Sequence, residues 1–185
     1  MSQMLRTLLS GHVPADPAEA RHLAQMREAV ENLAAPLARS QAGAHFTASA
    51  VVVTPEGDRV AMLHHRKLER WLQPGGHIEP GDDGDLVLAA MREAREETGC
   101  EVGPHPLAPL PLDVDAHVIP ARRDEAEHTH LDVRFLLVAT SAEALAHDPA
   151  ESRAIHWFGW DAALERADDA ALVRMLTKAR ALCER

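Results

Sequence analysis

A turn, a loop and a charged helix follow one another between Pro74 and Gly99, and this segment constrains the fold more than any other. It reads PGGHIEPGDDGDLVLAAMREAREETG. On a helix, Glu93, Glu96 and Glu97 fall at i, i+3 and i+4, so they share one face. Another face is apolar and can pack on a sheet. The segment therefore predicts a helix that packs on a sheet and presents carboxylates beside the Pro-Gly-Gly turn.

Three carboxylates this close together repel one another unless a positive group lies between them. Mg²⁺ and Mn²⁺ take oxygen ligands of this kind, whereas Arg92 and Arg95 compensate only part of the charge. The alternative is a solvated helix with Glu–Arg pairs, which is the usual meaning of a run of charged residues. The Gly-Gly turn just before the helix favours a metal site, because backbone carbonyls and carboxylates then meet at one place.

The remaining pattern predicts an α/β/α sandwich with a mixed sheet and an N-terminal helical extension. Residues 1–40 are helical in character, and Asp16, Pro17 and Glu19 have the pattern of a capping box. Residues 41–185 form the main domain in this interpretation. Its strand-like stretches alternate with helical ones, so the sheet is expected to lie between helices. The first two, HFTASAVVV and RVAMLHH, are expected to pair as a hairpin across a turn that contains Pro and Gly.

Charge and composition exclude several classes of partner. The formal net charge is −10, so the chain repels nucleic-acid polymers and anionic membrane surfaces. No stretch approaches the ~20 apolar residues that span a bilayer, and the first residues do not have the pattern of a signal peptide. Cys100 and Cys183 are far apart in sequence, which is typical of a reduced protein. We therefore expect a cytoplasmic protein.

The charged segment resembles the Nudix box, whose pattern is Gly, five residues, Glu, seven residues, then Arg-Glu-apolar-x-Glu-Glu-x-Gly-apolar. The positions that match are Gly76, Arg92, Glu93, Glu96, Glu97 and Gly99. The match is a hypothesis until its structural context is known. The strand pattern extends the resemblance loosely over 45–170 and leaves the N-terminal helical region outside it.

This chain departs from the box in one loop. Asp82 stands where the family has its first Glu, and nine residues rather than seven separate it from Arg92. The loop is therefore two residues longer than the family pattern. Asp82, Asp83 or Asp85 could take the place of the missing glutamate, and the sequence leaves the choice open.

The resemblance implies a metal-dependent hydrolase that cleaves the pyrophosphate bond of a nucleoside diphosphate linked to another group. It implies Mg²⁺ or Mn²⁺ as cofactor, with Glu96, Glu97 and the carbonyl of Gly76 as ligands. Glu93 is expected to be a further ligand or to orient the base, and Arg92 to hold the glutamates in place. Arg92, Glu93 and Glu97 are therefore the predicted catalytic residues.

The resemblance also implies a small nucleotide-like diphosphate as substrate and is compatible with a homodimer. Two alternatives stay open, a sanitiser of damaged nucleoside triphosphates and a Nudix-like nucleotide-binding or regulatory module with little turnover. The intact glutamates favour an enzyme, because a degenerate module tends to lose them. The tyrosine that marks dinucleoside polyphosphate hydrolases is missing, since the chain has no tyrosine.

Several Nudix enzymes use one more glutamate from outside the box. The candidates here are Glu125, Glu127 and Glu151, and Glu151 is preferred because it precedes the strand pattern RAIHWFGW. Each of the three is also compatible with a plain surface position.

A second polar pattern lies on the strand HTHLDVRFLLVAT. His128, His130 and Asp132 alternate and so share one face. They could bind a metal, but we favour a polar face that lines the cleft. His77 follows the second glycine of the turn and is expected near the carboxylates. Trp71 could stack on a nucleobase.

Overall fold

The computed structural model describes residues 2–108, 110–122, 125–142, 145–146, 149–150 and 152–185. The helices are α1 (Ser2–Ser10), α2 (Pro17–Asn32), α3 (Leu86–Thr98), α4 (Trp160–Arg166) and α5 (Ala170–Cys183). The strands are β1 (Ala44–Val53), β2 (Arg59–His65), β3 (Arg70–Leu72), β4 (Gly75–His77), β5 (Val102–Pro104), β6 (Asp113–Ile119), β7 (His128–Ala139) and β8 (Ser152–Gly159).

The strands form one mixed sheet. The order along it is β3-β2-β1-β7-β5, and β4, β6 and β8 add to β1, β7 and β2. β1 and β7 run parallel, with Phe46 opposite Leu131, whereas β1 and β2 form an antiparallel hairpin with Val53 opposite Val60. This arrangement confirms the predicted mixed sheet and the predicted hairpin.

Helices cover both faces of the sheet, because the strands alternate apolar side chains between two cores. Phe46 and Ala48 on β1 pack with α1, α2 and α3, while Val51 and Val53 pack with α4 and α5. These layers confirm the predicted α/β/α sandwich. Within the described residues, none of the helices combines the length and apolar character needed to cross a membrane.

The start of α2 is only partly as predicted. Asp16 caps the helix by accepting a hydrogen bond from the Glu19 amide at 2.7 Å. A capping box would have the Glu19 carboxylate accept from the Asp16 amide, but it accepts from the Ala15 amide instead, at 2.6 Å. The carboxylate is fully buried and also contacts His12 and Lys178. These partners hold it below the helix rather than at its end. The division of the chain at residue 40 stays a prediction.

A set of charged side chains lies buried between α2, β6, β7 and α5. We call it the buried charge network, and its members are Glu19, Asp113, Asp115, Asp132, Arg134, Arg174 and Lys178. At its centre, Arg134 donates to Asp132 at 2.9 Å and to Asp115 at 3.1 Å. Burial lowers the pKa of Arg134, but the surrounding aspartates outweigh burial and raise it. This network links the N-terminal helices to the sheet and to α5.

Candidate active site

The Gly-Gly turn forms β4, which pairs with β1 and sets the floor of the site. Ser49 lies opposite Gly75, and Ala48 lies opposite Gly76. A Cβ added to Gly75 would collide with Ser49, and a Cβ on Gly76 would lie 2.6 Å from Oε1 of Glu93. Gly75 therefore requires glycine because its neighbours include the backbone of β1, whereas at Gly76 the neighbour is the carboxylate of Glu93, which lies directly against the turn.

Helix α3 has a capping residue at each end. The Asp85 side chain caps its start by accepting from the Val87 amide at 2.8 Å. Gly99 ends it in the left-handed conformation, with φ of 72°, which residues other than glycine rarely adopt. The caps set the ends of the helix. Its buried face, which includes Ala90 and Ala94, packs in the core and so directs the glutamate face away from it.

Arg92 lies at the centre of the carboxylates. Its guanidinium donates to Glu93 at 2.9 Å, to Glu96 at 3.1 Å and to the carbonyl of His77 at 2.8 Å. It also donates twice to Asp82, at 3.1 and 3.0 Å. The hydrogen bonds that Arg92 donates to Asp82 raise its pKa most, burial lowers it, and the hydrogen bond to Glu93 raises it again, so Arg92 stays charged. One guanidinium thus joins the loop, the turn and the helix.

Of the three aspartates in the longer loop, Asp82 is the one that contacts Arg92 in the structure. Its side chain is buried, binds Arg92 with both oxygens and accepts from the Glu79 amide at 2.8 Å. Asp85 is used as the helix cap, and Asp83 lies in a left-handed turn with φ of 51°. Only Asp82 of the three aspartates contacts Arg92 within the described part of the chain.

We call Asp82, Arg92, Glu93, Glu96 and Glu97 the box cluster. Glu97 accepts a hydrogen bond from the Gly75 amide at 2.8 Å, and Glu96 is largely exposed. The cluster has four carboxylates and one guanidinium, so it carries an excess of negative charge. Hard oxygen donors around an excess of negative charge fit Mg²⁺ or Mn²⁺. The roles of the individual residues stay a prediction.

Four histidines meet on the other side of β4, on the sheet face that carries α4 and α5. His77 pairs with Thr47 of β1, and its ring centroid is 5.1 Å from those of His45 and His130. His128 stacks on His45 at 4.9 Å. Burial lowers the pKa of His77 to about 4 and that of His130 to about 3. The rings of His77 and His130 are therefore neutral at physiological pH.

The alternating polar residues of β7 lie in two different environments. His128 and His130 join the histidine group, but Asp132 belongs to the buried charge network. Its carboxylate accepts from the hydroxyls of Thr47 and Ser49 at 3.1 and 2.7 Å. Sequence reasoning missed His45, which lies opposite His130 in the parallel pairing of β1 and β7. The alternation His-x-Thr-x-Ser on β1 is the signal that could have found it.

Trp71 lies half-buried on the same sheet face as the histidines. Its ring meets Phe158 edge-on at 4.9 Å and His64 at 5.2 Å. The guanidinium of Arg166 lies 4.6 Å from the centroid of Phe158. The indole is only partly buried, and its predicted stacking on a base stays a prediction.

Of the three glutamates proposed from outside the box, Glu125 and Glu127 lie in the described part of the chain. Glu125 lies 3.9 Å from His128 and 3.9 Å from Arg39. Glu127 is exposed, and Glu151 lies outside the described residues. Their predicted role as an additional ligand or base stays a prediction.

A groove of about 1020 Å³ lies between the N-terminal helical region and the box loop. Its walls are Arg6, Val30, residues 33–40, residues 78–80, Asp83 and Gly84. The three box glutamates are not part of its lining. The groove therefore borders the loop of the site rather than the carboxylates themselves.

Known proteins provide an independent comparison. The family model described as the NUDIX domain matches residues 44–178, which is most of the chain. No curated protein sequence matches it. Among solved structures, the chain is similar to a binary complex of a C. elegans Ap4A hydrolase, with 20% identity and a TM-score of 0.51 over 74% of this chain and 95% of that one.

Two more solved structures share the architecture. One is a NUDIX-family hydrolase from Clostridium perfringens, with 20% identity and a TM-score of 0.55 over 76% of this chain and 96% of that one. The other is the E. coli dihydroneopterin triphosphate pyrophosphohydrolase, with 18% identity and a TM-score of 0.53 over 72% and 92%. At these identities the likeness establishes the fold, and it confirms the predicted Nudix-type sandwich.

Proposed function

Because the chain belongs to the Nudix family, we propose that it is a Mg²⁺- or Mn²⁺-dependent hydrolase that cleaves the pyrophosphate bond of a nucleotide derivative. The family match over 44–178 supports a pyrophosphohydrolase. The family match alone identifies neither the metal nor the substrate class, and both are part of the proposal. The observation that carries it is the box cluster, in which three carboxylates contact the guanidinium of Arg92 and a fourth, that of Glu97, accepts a hydrogen bond from the Gly75 amide.

The proposed metal ligands are Glu93, Glu96, Glu97 and the carbonyl of Gly76. Glu93 lies against Gly76, and Glu97 is tied to Gly75, so helix and turn are held together at this point. A bound Mg²⁺ or Mn²⁺ would neutralise the charge of the diphosphate and activate water. This also answers the problem that an acidic protein poses for an anionic substrate, because the attraction is supplied locally.

Hydrolysis forms a bond between a water oxygen and one phosphorus and breaks the anhydride P–O bond of that phosphorus. The water proton passes to a carboxylate, for which Glu93 and Glu97 are the candidates. Arg92 holds Glu93 and Glu96 through hydrogen bonds and is itself fixed by Asp82 and the His77 carbonyl. Such a reaction depends on positioning and charge stabilisation more than on covalent chemistry.

The nucleotide part of the proposal depends on Trp71. The indole is half-buried and braced edge-on by Phe158 and His64, which keeps its orientation fixed. A base stacked on an aromatic side chain contributes ~1–3 kcal/mol. Trp71→Ala is therefore expected to raise KM for a nucleotide substrate and to change kcat much less. Equal KM values for nucleotide and non-nucleotide diphosphates in both proteins would argue against base stacking.

The experiment is phosphate release, after phosphatase treatment, from a panel of phosphoanhydrides. The panel includes nucleoside di- and triphosphates, oxidised nucleoside triphosphates and nucleotide sugars. It also includes Ap4A and a pterin triphosphate, because two structural neighbours are named for these compounds. Each is measured with Mg²⁺, with Mn²⁺ and with a chelator. The variant is Glu97→Gln, and the matched control is Glu101→Gln, whose carboxylate is exposed and pairs with Arg95.

We expect metal-dependent turnover of at least one compound, reduced by a factor of ~100 or more in Glu97→Gln, because charge stabilisation at the transition state is removed. Glu101→Gln should retain the wild-type rate. No turnover of any compound by folded protein that still binds a nucleotide would overturn the proposal in favour of a regulatory module. Preference for oxidised nucleoside triphosphates over all others would instead identify a sanitiser.

A further inference from the structure

The group formed by His45, His128 and His130 is more than a polar sheet face. One nitrogen from each ring lies within 4.8 Å of the corresponding nitrogens of the other two. His45 and His128 are buried, and His130 is half-buried. The parallel register of β1 and β7 places His45 opposite His130, while His128 reaches them from the start of the same strand. Two strands distant in sequence thus bring three imidazoles to one point.

The pair His128 and His130 has the spacing of two ligands on one ion. Their Nε2 atoms are 3.2 Å apart. Two nitrogens on a tetrahedral zinc ion, each bonded at about 2.0–2.1 Å, are roughly 3.3 Å apart. A hydrogen bond between the two rings would have a similar length, so this distance alone does not decide between the two.

The second ring nitrogen of His128 has the partner that a metal ligand needs. Its Nδ1 lies 2.9 Å from the carbonyl of Ala126 and donates its proton there, because a carbonyl oxygen can only accept. The lone pair of the neutral ring is then on Nε2, the atom that faces His130. Histidines that bind metals usually donate their other N–H to a carbonyl or carboxylate in this way.

A hydrogen bond between His128 and His130 would not provide a partner for the ring of His45. His45 is 1% exposed, and within the described part of the chain neither ring nitrogen makes a hydrogen bond of normal length and angle, although the Gln41 backbone lies near enough to favour the charged ring. Nε2 of the neighbouring His77 is also buried without a hydrogen-bond partner there. Buried polar atoms normally have partners. A metal ion bound by the three imidazoles would give the His45 ring one.

We propose that His45, His128 and His130 bind a borderline transition-metal ion of the Zn²⁺ class, at a site separate from the carboxylates that the proposed hydrolase uses. Imidazole nitrogens suit Zn²⁺, Co²⁺, Ni²⁺ and Cu²⁺, whereas Mg²⁺ takes oxygen ligands. Three protein ligands leave a fourth position, as in catalytic zinc sites. His77 borders the three rings, and it is bonded in sequence to Gly76 of the box. The two sites therefore share the β4 strand.

The test measures Zn²⁺ binding to the full-length chain after dialysis against a chelator. Titrations are carried out in excess Mg²⁺, so that the carboxylates are occupied by the hard ion. Bound zinc is counted by elemental analysis, and affinity is measured by competition with a zinc indicator. The variants are His128→Gln and His130→Gln. His64→Gln, a histidine of the same sheet face outside the group, and Glu97→Gln are the controls.

We expect about one tightly bound Zn²⁺ per chain, and affinity lower by ~100-fold or more in each of the two histidine variants, since loss of a supporting residue alone costs 10- to 100-fold. Both controls should bind as wild type does. Zn²⁺ should also raise the unfolding midpoint of wild type but not of His130→Gln. His130 is used for this comparison because its side chain is only partly buried, so its replacement disturbs folding least. Wild-type binding no tighter than that of His130→Gln would overturn the proposal. So would binding that Glu97→Gln abolishes and the histidine variants keep.

Discussion

The box cluster and the buried charge network use the same kinds of side chain for different ends. The box cluster has one guanidinium for four carboxylates, and Glu96 is largely exposed. The buried charge network has four carboxylates and three cations, Arg134, Arg174 and Lys178, and its aspartates are almost fully buried. In the buried charge network the positive and negative charges nearly balance, so the network connects helices and sheet without a ligand. In the box cluster the carboxylates outnumber the guanidinium, which favours the binding of a cation.

This difference gives a practical criterion. A buried carboxylate costs several kcal/mol unless it is paired and hydrogen-bonded, so the network must be nearly complete in the folded chain itself. Carboxylates that stay in contact with water tolerate mutual repulsion, because solvent screens it. Mutations in the network should therefore change stability, and mutations in the box cluster should change activity.

The largest effect is expected from Arg134→Met. The substitution leaves Asp113, Asp115 and Asp132 buried without their central cation, and breaking a buried pair in this way costs about 3–5 kcal/mol. The measurement is the free energy of unfolding in denaturant. Arg180→Met is the control, because its pairs with Asp161 and Glu184 lie at the surface and are worth ~0–1 kcal/mol. Equal losses in the two variants would show that the network is not a structural joint.

The next largest effect separates activity from stability. In Gly76→Ala the new Cβ displaces the Glu93 carboxylate, which is the flexible end of a side chain. We expect hydrolysis to fall by ~100-fold, because a displacement of about 1 Å near the reacting groups has that effect. The unfolding free energy should change by less than ~1 kcal/mol. Gly103→Ala is the control, since nothing lies within 4 Å of a Cβ at that position.

A smaller effect should distinguish the aspartates of the longer loop. Asp82→Asn weakens the double hydrogen bond to Arg92, and hydrogen bonds to charged groups are worth ~1.5–3 kcal/mol. We expect a loss of activity of about tenfold or more, which Asp82→Glu partly restores if position and charge both matter. Asp83→Asn should leave the rate unchanged. A comparable loss in Asp83→Asn would show that loop integrity, not the contact with Arg92, determines the rate.

The smallest effect is a loss of folding stability at acid pH. Burial raises the pKa of Glu19, but hydrogen bonds from His12, the Ala15 amide and Lys178 outweigh it and hold that pKa well below its usual range. Below about pH 4.3 the unfolded chain therefore binds more protons at this site than the folded chain. The stabilisation that Glu19 provides is present above that pH and is lost as the pH falls through the folded pKa.

Unfolding free energies measured from neutral to acid pH check this sign. Wild type should lose stability more steeply in acid than Glu19→Gln, which has no carboxyl group to titrate at this position. Glu101→Gln, an exposed position, should follow the wild-type slope. A Glu19→Gln profile as steep as that of wild type would mean that other groups account for the acid sensitivity.

The fold and the charged helix were predictable because their signals are local. The caps at Asp85 and Gly99 lie next to the helix they limit, and helical periodicity places the glutamates on one face. Strand alternation and turn residues similarly predicted the hairpin of β1 and β2. In each case the residues that determine the structure lie within a few positions of one another.

The contacts that sequence reasoning missed join distant strands. His45 meets His130, and Thr47 meets Asp132, only through the parallel register of β1 and β7. No local pattern specifies that register. The sequence left Asp82, Asp83 and Asp85 open for another reason, because any of three neighbouring aspartates can cap a turn or a helix. The fold of the loop decides which of them faces Arg92.

The central claim is that the glutamates of the box cluster bind the metal that supports hydrolysis. Its most direct test is the initial rate on the best substrate of the panel as a function of Mg²⁺ concentration, for wild type and Glu96→Gln. The account predicts a rate that rises from near zero with Mg²⁺, and a half-saturating Mg²⁺ concentration that is higher in the variant while its stability is unchanged. Turnover that does not depend on metal, or the same Mg²⁺ dependence in both proteins, would contradict it.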